Sequence, residues 1–375
     1  MDVVLRMVDR DAVAARLRRF TFSEGALVRI AADPDTTIPA RSLVRIAVQS
    51  PVLTGGRCET SLLLAGGDAL CGRILGRDGD QVVLDAVDVG SVTLPLEVVT
   101  GLLTSKAAQP AYQHSADWLS ENPPGSEDRL LLTNGDFARG FLIAMDHEGV
   151  TLDTDAGESK IPFRNIVAGQ FQPPPAAPLE IIHGILTLRS GGRLTVREIE
   201  WSDTAVRVQT VHGMPLQIEA ERIARLDIVG GRWEWVSARE PLSFAHTPML
   251  SLGWPYHNNR NVLGRKLIVG GEGFQHGIGV HSRSTLIYEL KGEIREFVTS
   301  FGLDDDSGPL ADVSVFILVD GTKKFEQVGV RRGKLYGPVR LDVARANRIE
   351  LICDFGHNGD VQDRFDWIEA ALIRE

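Results

Sequence analysis

Apolar and polar residues alternate in short runs through most of this chain, which is the period of strands half-buried in a sheet. The runs recur as a unit. Leu62 to Leu103 reads LLLAGGDALCGRILGRDGDQVVLDAVDVGSVTLPLEVVTGLL, and Leu130 to Phe171 reads LLLTNGDFARGFLIAMDHEGVTLDTDAGESKIPFRNIVAGQF. Both open with a strand ending in Gly-Asp (Gly67-Asp68, Gly135-Asp136), and a further Gly (Gly72, Gly140) starts the next strand. An acidic Gly turn (Asp78-Gly79, Glu148-Gly149) and an alternating run (Val82 to Leu84, Val150 to Leu152) follow. Each closes on an apolar-Pro step (Leu94-Pro95, Ile161-Pro162) and an apolar pair (Val98-Val99, Ile166-Val167). From the Gly of Gly-Asp to the residue before Pro is 27 positions in one and 26 in the other.

A fourth copy fits Ile185 to Val229, with Gly192 at its turn and Ile218 26 positions later. A degenerate first copy fits Val3 to Val48, with Asp11 at the turn and Ile38-Pro39 near its end. The copies stand 68 and then 57 residues apart (Gly67, Gly135, Gly192), and a solenoid would hold one period. The pattern predicts independent five-stranded barrels, since closing a meander removes its exposed edges. Strand rhythm and the Gly-Asp turn are similar to SH3-like or Sm-like barrels. Predicted units are 1–52, 56–107, 125–172 and 180–240. The segment between the second and third is rich in Pro, Ser and Ala, with a helical turn expected at Ala116 to Leu119. Arg232-Trp233-Glu234-Trp235 is expected to close the array, and Pro241 to Pro248 to bridge to the last module.

That module, 245–375, has longer segments, with strands predicted at 262–269, 284–290, 294–302, 311–319, 325–330, 338–344, 347–354 and 365–373. So many strands in so short a segment suit a two-sheet jelly roll. The Gly277-Ile278-Gly279 stretch before His281 reads as a hinge. The fold class expected is therefore all-β: an array of small SH3-like β-barrel repeats followed by a jelly-roll β-sandwich.

Charge narrows the partners. The chain carries a formal −10, with 16 basic and 18 acidic residues from Ala245 onward against 24 and 32 before it. Nucleic acid is not expected, because its binding rests on Lys and Arg neutralising phosphates. The three cysteines give no disulfide framework and no zinc spacing, although Cys58 and Cys71 would pair if their strands were neighbours. No stretch approaches the roughly 20 apolar residues of a membrane span. The charged N-terminal MDVVLRMVDRDAVAARLRRF lacks the apolar core of a signal peptide, leaving a cytoplasmic chain or one whose targeting segment is gone.

In the last module the motifs run in a definite order. They are Arg260-Asn261-Val262-Leu263-Gly264, Leu267-Ile268-Val269, Gly277 to Ser282, Tyr288-Glu289-Leu290, Phe301 to Asp305, Val313 to Gly321, and Asp363 to Trp367. Together they resemble the NPCBM family of carbohydrate-binding modules, related to family 51 modules, over about a third of the chain. The resemblance implies a β-sandwich whose end loops bind galactose-type glycans, often with a structural calcium, in an extracellular or periplasmic protein.

A galactose-class site needs an aromatic platform and planar polar partners for hydroxyl pairs. Trp254, Tyr256 and Asn258 cluster in one loop, where the alternative is a polar turn with a Trp folded onto the sandwich. His276 and His281 flank the Gly277 pivot, and each either fixes a turn or donates from a neutral imidazole to a sugar hydroxyl. Arg283 contacts a ligand or pairs with an acid. Asp304, Asp305 and Asp306 form the densest carboxylate run. Asp304 and Asp306 are the candidate calcium ligands, with Asp305 for hydroxyls and turn capping as the alternative. Asp363 and His357 complete the candidates, and alternation places Trp367 in the core.

No nucleophile elbow, HExxH or P-loop occurs, so no catalytic residue is assigned. The function expected is non-catalytic glycan binding by the sandwich. The alternative is a structural, adhesion or protein-interaction scaffold, meeting a protein partner through its N-terminal repeats, in which sugar binding has been lost.

Overall fold

The computed structural model describes residues 1–7, 12–31, 33–49, 58–112, 126–174, 182–202, 204–249 and 253–374, in two compact units, Met1–Gly231 and Arg232–Glu375. The turn expected at Asp11 and the helical turn at Ala116 to Leu119 lie outside the described residues.

In the first unit each copy is a meander of four strands whose fifth strand returns to pair with the first. In the second copy the strands are Thr60–Leu64, Asp68–Asp78, Gln81–Ala86, Gly90–Pro95 and Val99–Thr104, and Val99 returns to Leu64. The same closure pairs Val3 with Val48, Leu130 with Gly169 and Leu186 with Leu226. The apolar-Pro step has a backbone reason. Pro39, Pro95 and Pro162, with φ near −60°, each precede a one-turn 3-10 helix that leads into the fifth strand. Proline supplies that φ and needs no hydrogen-bond acceptor. The fourth copy makes the same turn from Glu219 at φ −63°. Gly72 and Gly140 are also explained, because a Cβ at either would run into the carbonyl oxygen of Asp85 or Asp153 on the neighbouring strand.

The barrels are not independent, as the irregular spacing had suggested. Fifth strands pair with each other across barrels, Gly101 with Gln170 and Arg225 with Ala47, which hides edges that would otherwise stay open. Asp68 fastens the second barrel to the fourth. Its buried carboxylate accepts from the Thr195 amide and hydroxyl, both at 2.7 Å, and from Arg193 at 3.3 Å. Asp136, at the equivalent position of the third copy, is exposed, and among the described residues its carboxylate accepts from its neighbour Asn134. The second barrel also contains a disulfide, Cys58–Cys71: Cys58 leads into the strand Thr60–Leu64, which pairs with the strand that carries Cys71, opposite Ser61.

The second unit is a sandwich of a six-stranded and a five-stranded antiparallel sheet, the sixth strand, Trp233–Trp235, pairing with Arg364–Arg374 beside the main path of the first. One runs His257–Asn258, Gly277–His281, Arg364–Arg374, Ile294–Leu303, Tyr336–Asp342; the other runs Ser243–His246, Ser284–Glu289, Arg348–Phe355, Val313–Val319, Thr322–Val330. Side chains alternate into a shared core: Ile278, Val280, Phe301, Phe365 and Trp367 from one face, Leu286, Tyr288, Val315, Ile317 and Leu351 from the other. Trp367 is fully buried among Phe301 and Phe365, as alternation predicted.

Several elements fall elsewhere than expected. Trp233–Trp235 belongs to the sandwich and pairs with the last strand, Trp233 opposite Ile373. Ser243–His246, inside the expected bridge, is an edge strand paired with Ser284–Glu289. Of the strand predicted at 262–269 only Leu267–Val269 forms, in a hairpin with Glu272–Phe274. Gly277–His281 is a strand rather than a hinge, buried at every position. Its glycines admit close neighbours: a Cβ at Gly279 would collide with the backbone of Arg260 and Asn261.

Candidate functional site

Antiparallel pairing brings many strand termini to one end of the sandwich. His281 stands opposite Arg364, His246 opposite Ser284, Leu303 opposite Phe365 and Val313 opposite both Phe355 and Val330. The loops that follow or precede these residues leave from that end.

The ordered core of this end is a histidine pair built on one carbonyl. The Ser282 oxygen accepts from His281 Nδ1 at 2.9 Å and from His246 Nε2 at 3.1 Å. His246 Nδ1 in turn accepts the Trp254 backbone N–H at 3.2 Å. Both tautomers follow from these bonds. The indole of Trp254 lies parallel to the His281 imidazole, with centroids 5.2 Å apart and planes 11° apart. His281 is buried, and burial, against the opposing hydrogen bond to Ser282 and with help from the neighbouring His246, pulls its pKa below the usual imidazole value. The ring is therefore neutral, with its proton on Nδ1 and spent on Ser282. The imidazole cannot donate from Nε2 to a sugar hydroxyl, as the sequence suggested; Nε2 presents a lone pair and accepts.

Behind this pair runs a buried chain of polar groups. Ser282 Oγ donates to Asp363 Oδ2 at 2.7 Å, and Asp363 Oδ1 accepts the Asp312 amide at 3.0 Å. Asp312 accepts from Arg331 at 2.9 Å and from the His357 amide at 3.2 Å. Asp363 is completely buried, and that burial raises its pKa to about 6. Asp363 thus supports Ser282 from within and presents no surface to a ligand. His357 is exposed at the rim, and Arg283 is exposed 3.5 Å from Asp354.

Other predicted residues lie away from this end or are otherwise engaged. His276 is at the opposite end of its strand and stacks on Trp235 at 4.6 Å. Tyr256 packs on Phe244, and its hydroxyl donates to Glu240 at 3.1 Å. Asn258 is within a strand, paired with Ile278.

The acidic run secures a hairpin. Asp304 accepts the Ile268 amide at 3.2 Å, and Asp305 accepts the amides of Gly270 and Gly271 at 3.1 and 2.8 Å. Asn261 Nδ2 donates to Asp304 and Asp306, and Arg265 donates to Asp306. Asp304 and Asp306, the expected calcium ligands, thus each accept from side-chain or backbone donors, and Asn261 Nδ2 bridges the two. Among the described residues no group of three or more His, Cys, Asp or Glu side chains is arranged to hold a metal ion. Asp366, beside Asp304 and wholly buried, keeps both carboxyl oxygens without a donor among the described residues. Burial, and then the Asp304 carboxylate, raises its pKa well above the ordinary range.

His246, Ser282, Asp312 and Arg331 were missed from sequence. They are isolated polar residues in unremarkable runs, and only strand pairing brings them together.

The fold and this end loop cluster define a β-sandwich module carried behind an array of β-barrels. Residues 233–373 match the NPCBM/NEW2 domain model, the family that the ordered motifs resemble. Among solved structures, the chain is similar to a CBM51 from Clostridium perfringens GH95 in complex with methyl-galactose (22% identity, 37% of this chain and 99% of that one, TM-score 0.34). It is also similar to CBM51-2 in complex with GlcNAc and INT domains from Clostridium perfringens ZmpB (22%, 47% and 37%, TM-score 0.34). A third is the tandem CBM51 modules of Sp3GH98 from Streptococcus pneumoniae (13%, 84% and 88%, TM-score 0.34). No curated protein matches the chain.

Proposed function

We propose that this protein is a non-catalytic glycan-binding protein whose sandwich takes a galactose-type or related sugar at the His281 end. The observation that carries the reading is the Trp254–His281 stack, which sets an aromatic surface beside His281 Nε2, an acceptor with no hydrogen-bond partner among the described residues. A sugar offers C–H groups to the first and a hydroxyl to the second. Arg283 and His357 stand at the exposed rim, where they can meet further hydroxyls. Support for this class of function comes from the NPCBM/NEW2 domain itself.

Isothermal titration with methyl-galactose and with GlcNAc tests it. Trp254→Ala should weaken binding of the preferred sugar about tenfold or more while leaving the melting temperature nearly unchanged. If the unmodified protein gives no heat with either sugar and no signal on a glycan array, the reading fails. The scaffold reading would then take its place, supported by the continuous pairing of fifth strands across the barrels.

An extracellular or periplasmic site of action is part of the proposal, because the Cys58–Cys71 disulfide needs an oxidising compartment to persist. Calcium belongs to the proposal only at Asp366, beside Asp304, because its buried carboxyl oxygens have no donor among the described residues and attract either a proton or a cation. Identical melting curves in EDTA and in millimolar calcium would exclude the ion.

A further inference from the structure

The barrel unit contains a cleft that the glycan reading does not use. It opens between the second and third barrels, with a volume of about 730 Å³. Arg73 reaches it from the strand Asp68–Asp78, Lys106 follows the strand Val99–Thr104, and Arg164 comes from the 3-10 turn Phe163–Asn165. Lys106 Nζ donates to the Phe163 carbonyl at 3.2 Å, which fixes its ammonium at the wall. None of the three has an acidic partner among the described residues. Glu59 is the one carboxylate among the lining residues. The floor is aliphatic, with Ile74 buried and Leu75 42% exposed, and Phe163 stands half-buried beside them.

The charge is out of keeping with its surroundings. Before Ala245 the chain has 32 acidic residues against 24 basic, yet here three cations converge with little to balance them. Gathering like charges costs energy unless an anion comes to them. Two classes of macromolecule bring carboxylates: acidic peptides and acidic glycans. A glycan would need planar amides or carboxylates for its hydroxyl pairs and an aromatic platform. The lining has a single carboxylate, Glu59, and a single phenyl ring, the half-buried Phe163, with no Asn, Gln, Trp or Tyr, and the hydroxyl of Thr104 is already given to the carbonyls of Ile166 and Val167. Ile74 and Leu75 instead suit aliphatic side chains.

We propose that this cleft is a docking site for an acidic peptide segment of a partner protein, one in which Glu or Asp alternates with aliphatic residues. The carboxylates pair with Arg73, Lys106 and Arg164, and the aliphatic side chains cover Leu75. The site lies wholly within the barrel unit, so it stands or falls independently of sugar binding by the sandwich.

The test is fluorescence anisotropy of a fluorescein-labelled eight-residue peptide of alternating Glu and Leu, titrated with the full chain. Binding is expected, with affinity falling about tenfold in the exposed-site double variant Arg73→Ala/Arg164→Ala. It should also weaken as salt rises, because exposed ion pairs are screened. A matching Lys-Leu peptide should not bind. Failure of the Glu-Leu peptide to bind, or equal binding to the double variant, overturns the proposal. Binding of an oligogalacturonate that depends on Arg73 and Arg164, when the peptide does not bind, would make an acidic glycan the occupant and also overturn it. Circular dichroism and the melting temperature of the double variant verify that it is folded.

Discussion

Asp363 gives the sharpest test of how the sandwich end is built. Its carboxyl is completely buried, accepts from Ser282 Oγ and the Asp312 amide, and has its pKa raised from 3.8 to about 6 by burial. The folded protein thus holds this proton more tightly than the unfolded chain does. Its contribution to stability is complete below about pH 4 and is lost as pH rises through about 6. A shift of about two units corresponds to ~3 kcal/mol. Asp363→Asn removes the titration while keeping an oxygen for the Asp312 amide and an amide beside the Ser282 hydroxyl. Calorimetric melting between pH 4 and 7.5 should show the sandwich transition of the parent falling more than that of the variant. The difference should be roughly 10 °C for a domain of this size. Asp366, also raised by burial, acts in the same direction in both proteins and cancels in the comparison. Parallel pH profiles would refute the reasoning, since they would mean that Asp363 titrates in the folded protein as it does in the unfolded chain.

Further predictions concern packing and covalent links. Gly279→Ala drives a methyl group into the backbone of Arg260 and Asn261, and should cost about 2 kcal/mol by urea denaturation; an unchanged midpoint would mean that this turn yields. Cys71→Ser, or a reductant, should destabilise the second barrel by about 3 kcal/mol, because a short loop is released in the unfolded state. A melting temperature indifferent to dithiothreitol would contradict that. Thr195→Val removes one donor from the buried Asp68 carboxylate and should cost about 1–3 kcal/mol, while Asn134→Ala beside the exposed Asp136 should cost under about 0.5. Similar losses in the two would show that Asp68 is not an anchor between barrels.

The comparison of Asp68 with Asp136 marks where sequence stops being informative. Both end a first strand in Gly-Asp, and pattern alone makes them equivalent. One is buried against Thr195, more than a hundred residues away, while the other makes only a local turn. What the chain determined by itself was local: period-two alternation, glycines where neighbouring backbones approach, and Pro where a 3-10 turn leads into a fifth strand. Those features depend on φ, ψ and side-chain size, so they can be read within a few residues. The NPCBM motifs were legible for the same reason, as ordered turns and strands of one module.

Long-range pairing decided the rest. Gly277–His281 read as a hinge fixing the sandwich because two glycines flank an apolar residue, and partners on both sides make it a buried strand. Asp304 to Asp306 left calcium, ligand hydroxyls and turn capping open in the sequence, and the fold shows Asp304 and Asp305 accepting the hairpin amides of Ile268, Gly270 and Gly271. His281 was singled out as a donor to a sugar hydroxyl, but in the fold its Nδ1–H is given to the Ser282 carbonyl. The Ser282 carbonyl consumes its proton, and His246, the residue that fixes that geometry beside Trp254, lies 35 positions earlier on an edge strand. Which nitrogen carries a proton depends on what stands within 3 Å of it, and that is a property of the folded chain.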